Sequence, residues 1–202
     1  MEDLTSEKRV KPLFLVVPKK GLESLSKIPQ LNEEYLLRTY EPGDETVLAK
    51  LLASEGWGYD DVQISGFLDH VLPEGLFFVV HKPTGTVVST ASALHHPASP
   101  HWHFRFGGAI GYVITLPEHR GKGIGYTVSA AAARRLIRAG YTNIRVGTND
   151  NRLAALRIYL KLGFVPFLYS EDSESRWSAV CEKLSWPFTP YTWIRPGEEA
   201  FP

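Results

Sequence analysis

The residues best placed to do chemistry lie in the run Arg120-Gly121-Lys122-Gly123-Ile124-Gly125. An apolar, strand-like stretch (Ala109, Ile110, Tyr112, Val113, Ile114) passes through Leu116-Pro117 into this turn. An alanine-rich helical pattern, Tyr126 to Ala139, follows it. Glycine lets backbone N–H groups approach an anion closely, and the first turn of a helix leaves its amides unpaired. The helix dipole adds partial positive charge at the same place. The junction therefore predicts a cradle for a ligand carrying a pyrophosphate.

Three cradles can be compared with it. A P-loop ends in Gly-Lys-Ser/Thr, and nothing in the chain supplies that ending. The dinucleotide fingerprint needs a third glycine three places after the second, and counting from Gly121 and Gly123 that place holds Tyr126. What remains is Arg-x-x-Gly-x-Gly after a strand and a Val113-to-Pro117 lead-in. This resembles the acetyl-CoA loop of the GNAT superfamily of N-acyltransferases.

A second segment carries the same resemblance. Asn143 to Thr148 alternates as a short strand, and Asn151 to Leu162 has apolar residues at helical spacing. Asp150 or Asn151 is the expected cap at its start, and Gly163 stands where a left-handed C-cap belongs. The superfamily element is Asn-x-x-Ala-x-x-x-Tyr-x-x-x-Gly-Phe. Tyr159, Gly163 and Phe164 match its spacing, whereas Asn151 lies one residue upstream of the matching place, which Arg152 fills. The variant Thr-Asn-Asp-Asn-Arg-Leu-Ala-Ala is similar to mycothiol-synthase-like members. Those synthases usually carry two such units and this chain has room for one, so their substrate does not transfer.

The resemblance implies acetyl-CoA as cosubstrate, no metal, and direct transfer of acetyl to a primary amine of a small molecule or an exposed protein amine. It implies that the exposed backbone of Val113, Ile114 and Thr115 pairs with the pantetheine arm, facing Asn143 to Thr148 across a splay. Arg120, Gly121, Lys122, Gly123, Ile124 and Gly125 would hold the pyrophosphate, with charge from Arg120 and Lys122, and Asn151 is carried over as a cofactor contact. Tyr159 is the expected general acid, donating to the CoA sulfur. A phenol stays protonated at neutral pH, which suits that role; the bland alternative is a core tyrosine. For the base, Gly107 to Thr115 offers no carboxylate, leaving His103, His95 or a water chain held by backbone carbonyls. A different class stays open: a non-catalytic acyl-CoA-binding or sensing module.

The elements that must position these residues are legible along the chain. Leu13 to Val17 is a candidate strand of undecided partner, Tyr35 to Tyr40 the first strand of the core, and Asp44 to Glu55 and Asp60 to His70 are helical. Leu76 to His81 and Thr86 to Leu94 form a hairpin over Lys82-Pro83-Thr84-Gly85. The order predicts an α/β (α+β) fold, GNAT-like, with a mixed, mostly antiparallel central sheet and helices on both faces. Residues 1–30 read as an N-terminal extension, 31–170 as the acetyltransferase domain, and 171–202 as a C-terminal extension packing on or flanking it. The family normally adds a final strand after Phe167, and Arg176 to Leu184 reads as a short helix. That tail would cover the core or make an oligomer contact, a homodimer included. Trp57, Tyr59 and Trp102 are candidates for lining an acceptor pocket or for packing the core.

Composition bounds the rest. The 202 residues are 44% apolar and 22% charged, with Lys plus Arg equal to Asp plus Glu at 22 each. No net field would draw in nucleic acid or an anionic membrane, and Arg134, Arg135 and Arg138 read as a solvated helix face. The single cysteine, Cys181, excludes an intrachain disulfide and reads as a packing residue. His95, His96, His101 and His103 on a proline-broken loop lack the spacing of a zinc site. No signal peptide or bilayer span is visible, so the cytoplasm is the expected location.

Overall fold

The computed structural model describes residues 11–22, 25, 27–95 and 107–198. In chain order these form β1 (Leu13–Val16), β2 (Tyr35–Thr39), α1 (Glu45–Ser54), α2 (Asp61–Leu68), β3 (Val71–His81) and β4 (Thr86–His95). Then come β5 (Gly108–Thr115), α3 (Ile124–Arg138), β6 (Ile144–Thr148), α4 (Leu153–Lys161), β7 (Val165–Phe167) and α5 (Ser173–Leu184). The strands make one seven-stranded sheet in the order β2-β3-β4-β5-β6-β1-β7. Every pairing is antiparallel except that of β5 with β6. Helices cover both faces, as the sequence predicts.

The amphipathic patterns decide which face each helix takes. In α1, Leu48, Leu51 and Leu52 are buried with Ile64 and Phe67 of α2 against Leu76, Phe78 and Ile114. Asp60 starts α2 with a capping box, its Oδ1 accepting from Gln63 N at 2.8 Å while its own N–H donates to Gln63 Oε1 at 3.0 Å. The small side chains of α3 let it lie close on the opposite face, where Val128, Ala132 and Leu136 meet Val79, Val88, Ala91 and Ile110. Leu156 of α4 and Trp177, Val180 and Leu184 of α5 extend that core.

The N-terminal segment corrects two expectations. Residues 13–16, expected to belong to an extension, form an interior strand of the sheet: β1 pairs with β6 (Leu13 opposite Thr148) and with β7 (Phe14 opposite Phe167). All four residues are buried, as a strand covered on both faces requires. The final strand expected after Phe167 is absent among the described residues, and β1 fills the place between β6 and β7. The tail instead forms α5 and then makes one parallel bridge, Ile194 with Phe167. Cys181 is buried among these residues, and burial pushes its thiol up from its ordinary value.

Candidate active site

β5 delivers the chain to the glycine-rich turn. A single 3-10 turn, Pro117–His119, follows it, and Arg120 is extended. Gly121 and Gly123 both have φ +79°, left-handed geometry that strains any other residue, and Gly123 is the N-cap of α3. The first backbone bond of the helix runs from Thr127 N to Gly123 O at 3.0 Å. The amides of residues 121–126 have no acceptor among the described residues. Around Gly121 and Gly123 nothing lies within 4 Å of where a Cβ would stand, so this backbone faces open space. Gly125 instead faces Ile158 of α4 and Thr115, 3.1 and 3.4 Å from a notional Cβ, while Ile124 anchors the helix start in the core.

The basic side chains of the turn are engaged elsewhere. Arg120 Nε donates to Thr115 O at 2.8 Å and its Nη2 to Glu55 Oε1 at 3.0 Å. Lys122 Nζ donates to Tyr35 Oη at 3.1 Å, and Tyr35 Oη meets His119 Nδ1 at 2.9 Å. Burial holds the His119 imidazole below its ordinary range, with the neighbouring His81 and Lys122 acting in the same direction.

Beside the turn the sheet opens. β5 and β6 pair only from Gly108 to Ile110 with Ile144 to Val146. Beyond Ile110 the edge of β5 that faced β6 has no strand partner among the described residues, and it includes Val113, Ile114 and Thr115. On its other edge β5 bulges: Ser92 pairs with Gly111 and Thr90 with Ile114, so Tyr112 and Val113 stand opposite Ala91 alone. Tyr112 takes φ +51° there, a conformation costing about 1–3 kcal/mol that neighbours must hold in place. Phe67 at 4.5 Å and Trp57 at 5.7 Å pack edge-on to its ring, and its hydroxyl meets Tyr59 Oη at 2.9 Å. Trp57 and Tyr59 thus pack on the bulge; Trp102 lies outside the described residues.

The segment from Thr148 to Phe164 sets the other wall. Gly163, at φ +89°, ends α4 in a Schellman motif, with Phe164 N bonded to Tyr159 O at 3.1 Å and Gly163 N to Leu160 O at 3.0 Å. The Phe164 ring lies 6.2 Å from the Tyr159 ring, completing the motif and fixing the tyrosine. Tyr159 follows Ile158, whose Cδ1 lies 3.1 Å from a notional Cβ of Gly125, so α4 itself packs against the start of α3. Tyr159 is 4% exposed, and burial pushes its phenol far up; the charge of Arg152 opposes the shift.

The cap of α4 differs from the expected one. Arg152 occupies the N-cap position without a side-chain cap bond, and Asn151 is exposed in the preceding turn. Asp150 is drawn off by Arg176 of α5, whose Nε reaches Oδ2 at 2.9 Å. Arg152 Nη1 approaches Glu55 Oε2 at 3.4 Å, and its guanidinium lies 5.0 Å over Trp57.

His95 is not brought to this place. It pairs with Gly108, the first residue of β5, whereas the turn follows Thr115, the last, and its ring packs 5.6 Å from Tyr141. His96, His101 and His103 lie outside the described residues. No group of three His, Cys, Asp or Glu among the described residues could hold a metal ion, and no helix there is long and apolar enough to cross a membrane.

Residues 33–164 match the Acetyltransferase (GNAT) family. The chain belongs to that family. A mycothiol acetyltransferase from Saccharomonospora viridis is 30% identical over 148 residues, 67% of this chain and 47% of that protein. The chain thus spans about half the length of the mycothiol acetyltransferases it matches. Among solved structures, a GCN5-related N-acetyltransferase from Sphaerobacter thermophilus superposes with TM-score 0.57 at 20% identity, over 77% of this chain and 48% of that one. A tandem GNAT protein from the clavulanic acid biosynthesis pathway gives 0.59 at 17%, over 78% and 51%. At such identities these likenesses concern the GNAT fold alone.

Sequence reasoning did not single out Glu55 or the strained Tyr112, which the fold brings beside the turn and the open edge, and named Arg152 only as the residue in the asparagine's place. Tyr112 carries no signal in a strand where apolar residues abound. The departure at Arg152 from the family's asparagine was the one available clue.

Proposed function

We propose that this chain moves an acetyl group from acetyl-CoA directly to a primary amine, carried by a small molecule or exposed on a protein. The observation that carries the reading is the run of unpartnered amides at 121–126, opening from a strand edge that has itself lost its partner. The diphosphate lies on those amides and the α3 dipole, and the pantetheine arm runs along the edge of β5 at Val113 to Thr115 that no strand covers, where Arg120 already holds Thr115 O. In this reading the thioester lies near the bulge at Tyr112, and Tyr159 of α4, on the other wall, faces its sulfur. The amine attacks the carbonyl carbon; main-chain N–H groups of the bulge stabilise the oxyanion as the C–S bond breaks. Tyr159, neutral because burial disfavours its anion, donates a hydrogen bond to the departing sulfur and passes its proton on only as it takes up the one the attacking nitrogen sheds, so that amide and CoA thiol form with no buried phenolate left behind.

The test is CoA release from acetyl-CoA across a panel of amines, including mycothiol-related ones because the relatives bear that name, alongside calorimetric titration with CoA. Release with at least one amine is expected. Binding without release under any amine would favour an acyl-CoA sensor, and no binding would remove the cofactor from the reading.

A further inference from the structure

We infer that Glu55 is a positioning residue that ties the two lips of the cofactor cleft together, acting through Arg120 and Arg152. The inference rests on the reading of the cleft as the site of coenzyme A. Glu55 immediately follows α1 and is held by its own N–H, bonded to Leu52 O at 3.1 Å. Its carboxylate is shared: Oε1 accepts from Arg120 at 3.0 Å and Oε2 faces Arg152 at 3.4 Å.

Those two arginines belong to opposite lips. Arg120 is pinned to Thr115 O, the end of the open edge of β5. Arg152 is the N-cap of α4, one short turn after β6, with its N–H on Asn149 O at 3.0 Å. Its guanidinium rests on Trp57, whose ring meets Tyr112 at the bulge. The contacts therefore close a circuit from Tyr112 along β5 to Thr115, through Arg120, Glu55 and Arg152, and back over Trp57. Among the described residues, no other carboxylate bridges arginines of both lips.

Partly exposed ion pairs such as these add little to folding stability. Their effect is geometric. β5 and β6 share no hydrogen bonds beyond Ile110, so lip separation near the turn rests on side-chain contacts. With Glu55 neutral, two guanidiniums brought to one point repel, and the lips part. An arm lying on β5 then loses its contacts to the α4 side, and its sulfur moves away from Tyr159.

The test uses Glu55→Gln, Glu55→Asp and Arg152→Met in the full chain, with CoA affinity by calorimetry, steady-state kinetics in acetyl-CoA, and thermal denaturation. Glu55→Gln and Arg152→Met should each weaken CoA about tenfold at low salt, and the double variant should be no weaker than either single, because one tie is being cut. Glu55→Asp, one methylene too short to reach both lips, should behave as Glu55→Gln. The acetyl-CoA KM should rise while the acceptor KM and the melting temperature hold, and the gap to the parent should narrow at high salt, which screens the tie. Unchanged affinity, tighter affinity from freed arginines, or additive losses would each overturn the inference. A parent chain that binds no CoA would instead sink the proposed function.

Discussion

Replacing Gly123 by alanine separates the backbone's conformation from its contacts. No atom lies within 4 Å of the added methyl, so the cost is conformational: φ +79° is left-handed and disfavours an L-residue by about 1–2 kcal/mol. For a chain of this length each kcal/mol lowers the melting temperature by about 2–4 °C, so a fall of about 2–8 °C is expected. The chain can relieve that strain only by turning the peptide at the start of α3, which re-aims the free amides. Losing one charge-assisted hydrogen bond to a phosphate costs about 1.5–3 kcal/mol, which is about 10- to 150-fold in CoA affinity. Gly85→Ala is the matched control: φ is +68°, the site is open, and the position is the β3–β4 turn. It should lose similar stability and no affinity. Calorimetric titration with CoA and thermal denaturation of both variants decide the matter. Equal CoA affinity in the two would refute the assignment of the amides as the phosphate grip.

Tyr159→Phe should lower turnover at least about tenfold while leaving the CoA dissociation constant close to that of the parent, and unchanged turnover would remove the phenol from the mechanism. Gly147→Ala places a methyl 2.8 Å from the Phe14 ring in the β1–β6 pair, which should cost about 1–3 kcal/mol in denaturant unfolding. Phe14→Leu in the same chain should recover part of it. Asp44 and Asp150 are held below the usual carboxylate range, first by hydrogen bonds from Arg38 and Arg176. A depressed folded pKa means stability is complete above the unfolded value of about 4 and is lost as pH falls through the folded one. Asp150→Asn should therefore flatten the acid limb of a melting-temperature profile taken from about pH 6 to pH 2, and an unaltered limb would count against the Asp150–Arg176 pair.

What could be read from the sequence was local. The glycine-rich turn, the Lys82–Gly85 hairpin and the Gly163 stop each depend on a few adjacent residues whose backbone demands are specific, and each lies where it was expected. The partners of Leu13–Val16 were not legible, because a short run buried on both faces carries no directional pattern to say which strands flank it. The cap of α4 failed for a related reason. Asp150 has the chemistry of a cap, yet Arg176, distant in sequence, competes for its carboxylate and wins. Glu55 was invisible because its meaning comes from two arginines that the fold alone brings to it.

The place of β1 also shapes how the molecule must assemble. Leu13–Val16 lies far along the chain from both of its neighbours, Ile144–Thr148 and Val165–Phe167. Such distant closure slows folding and leaves an apolar segment waiting. The lip of the cleft formed by β6 is therefore finished only when Leu13–Val16 has settled between two strands remote from it in sequence. Competence to hold a cofactor would then arrive all at once, at the close of folding.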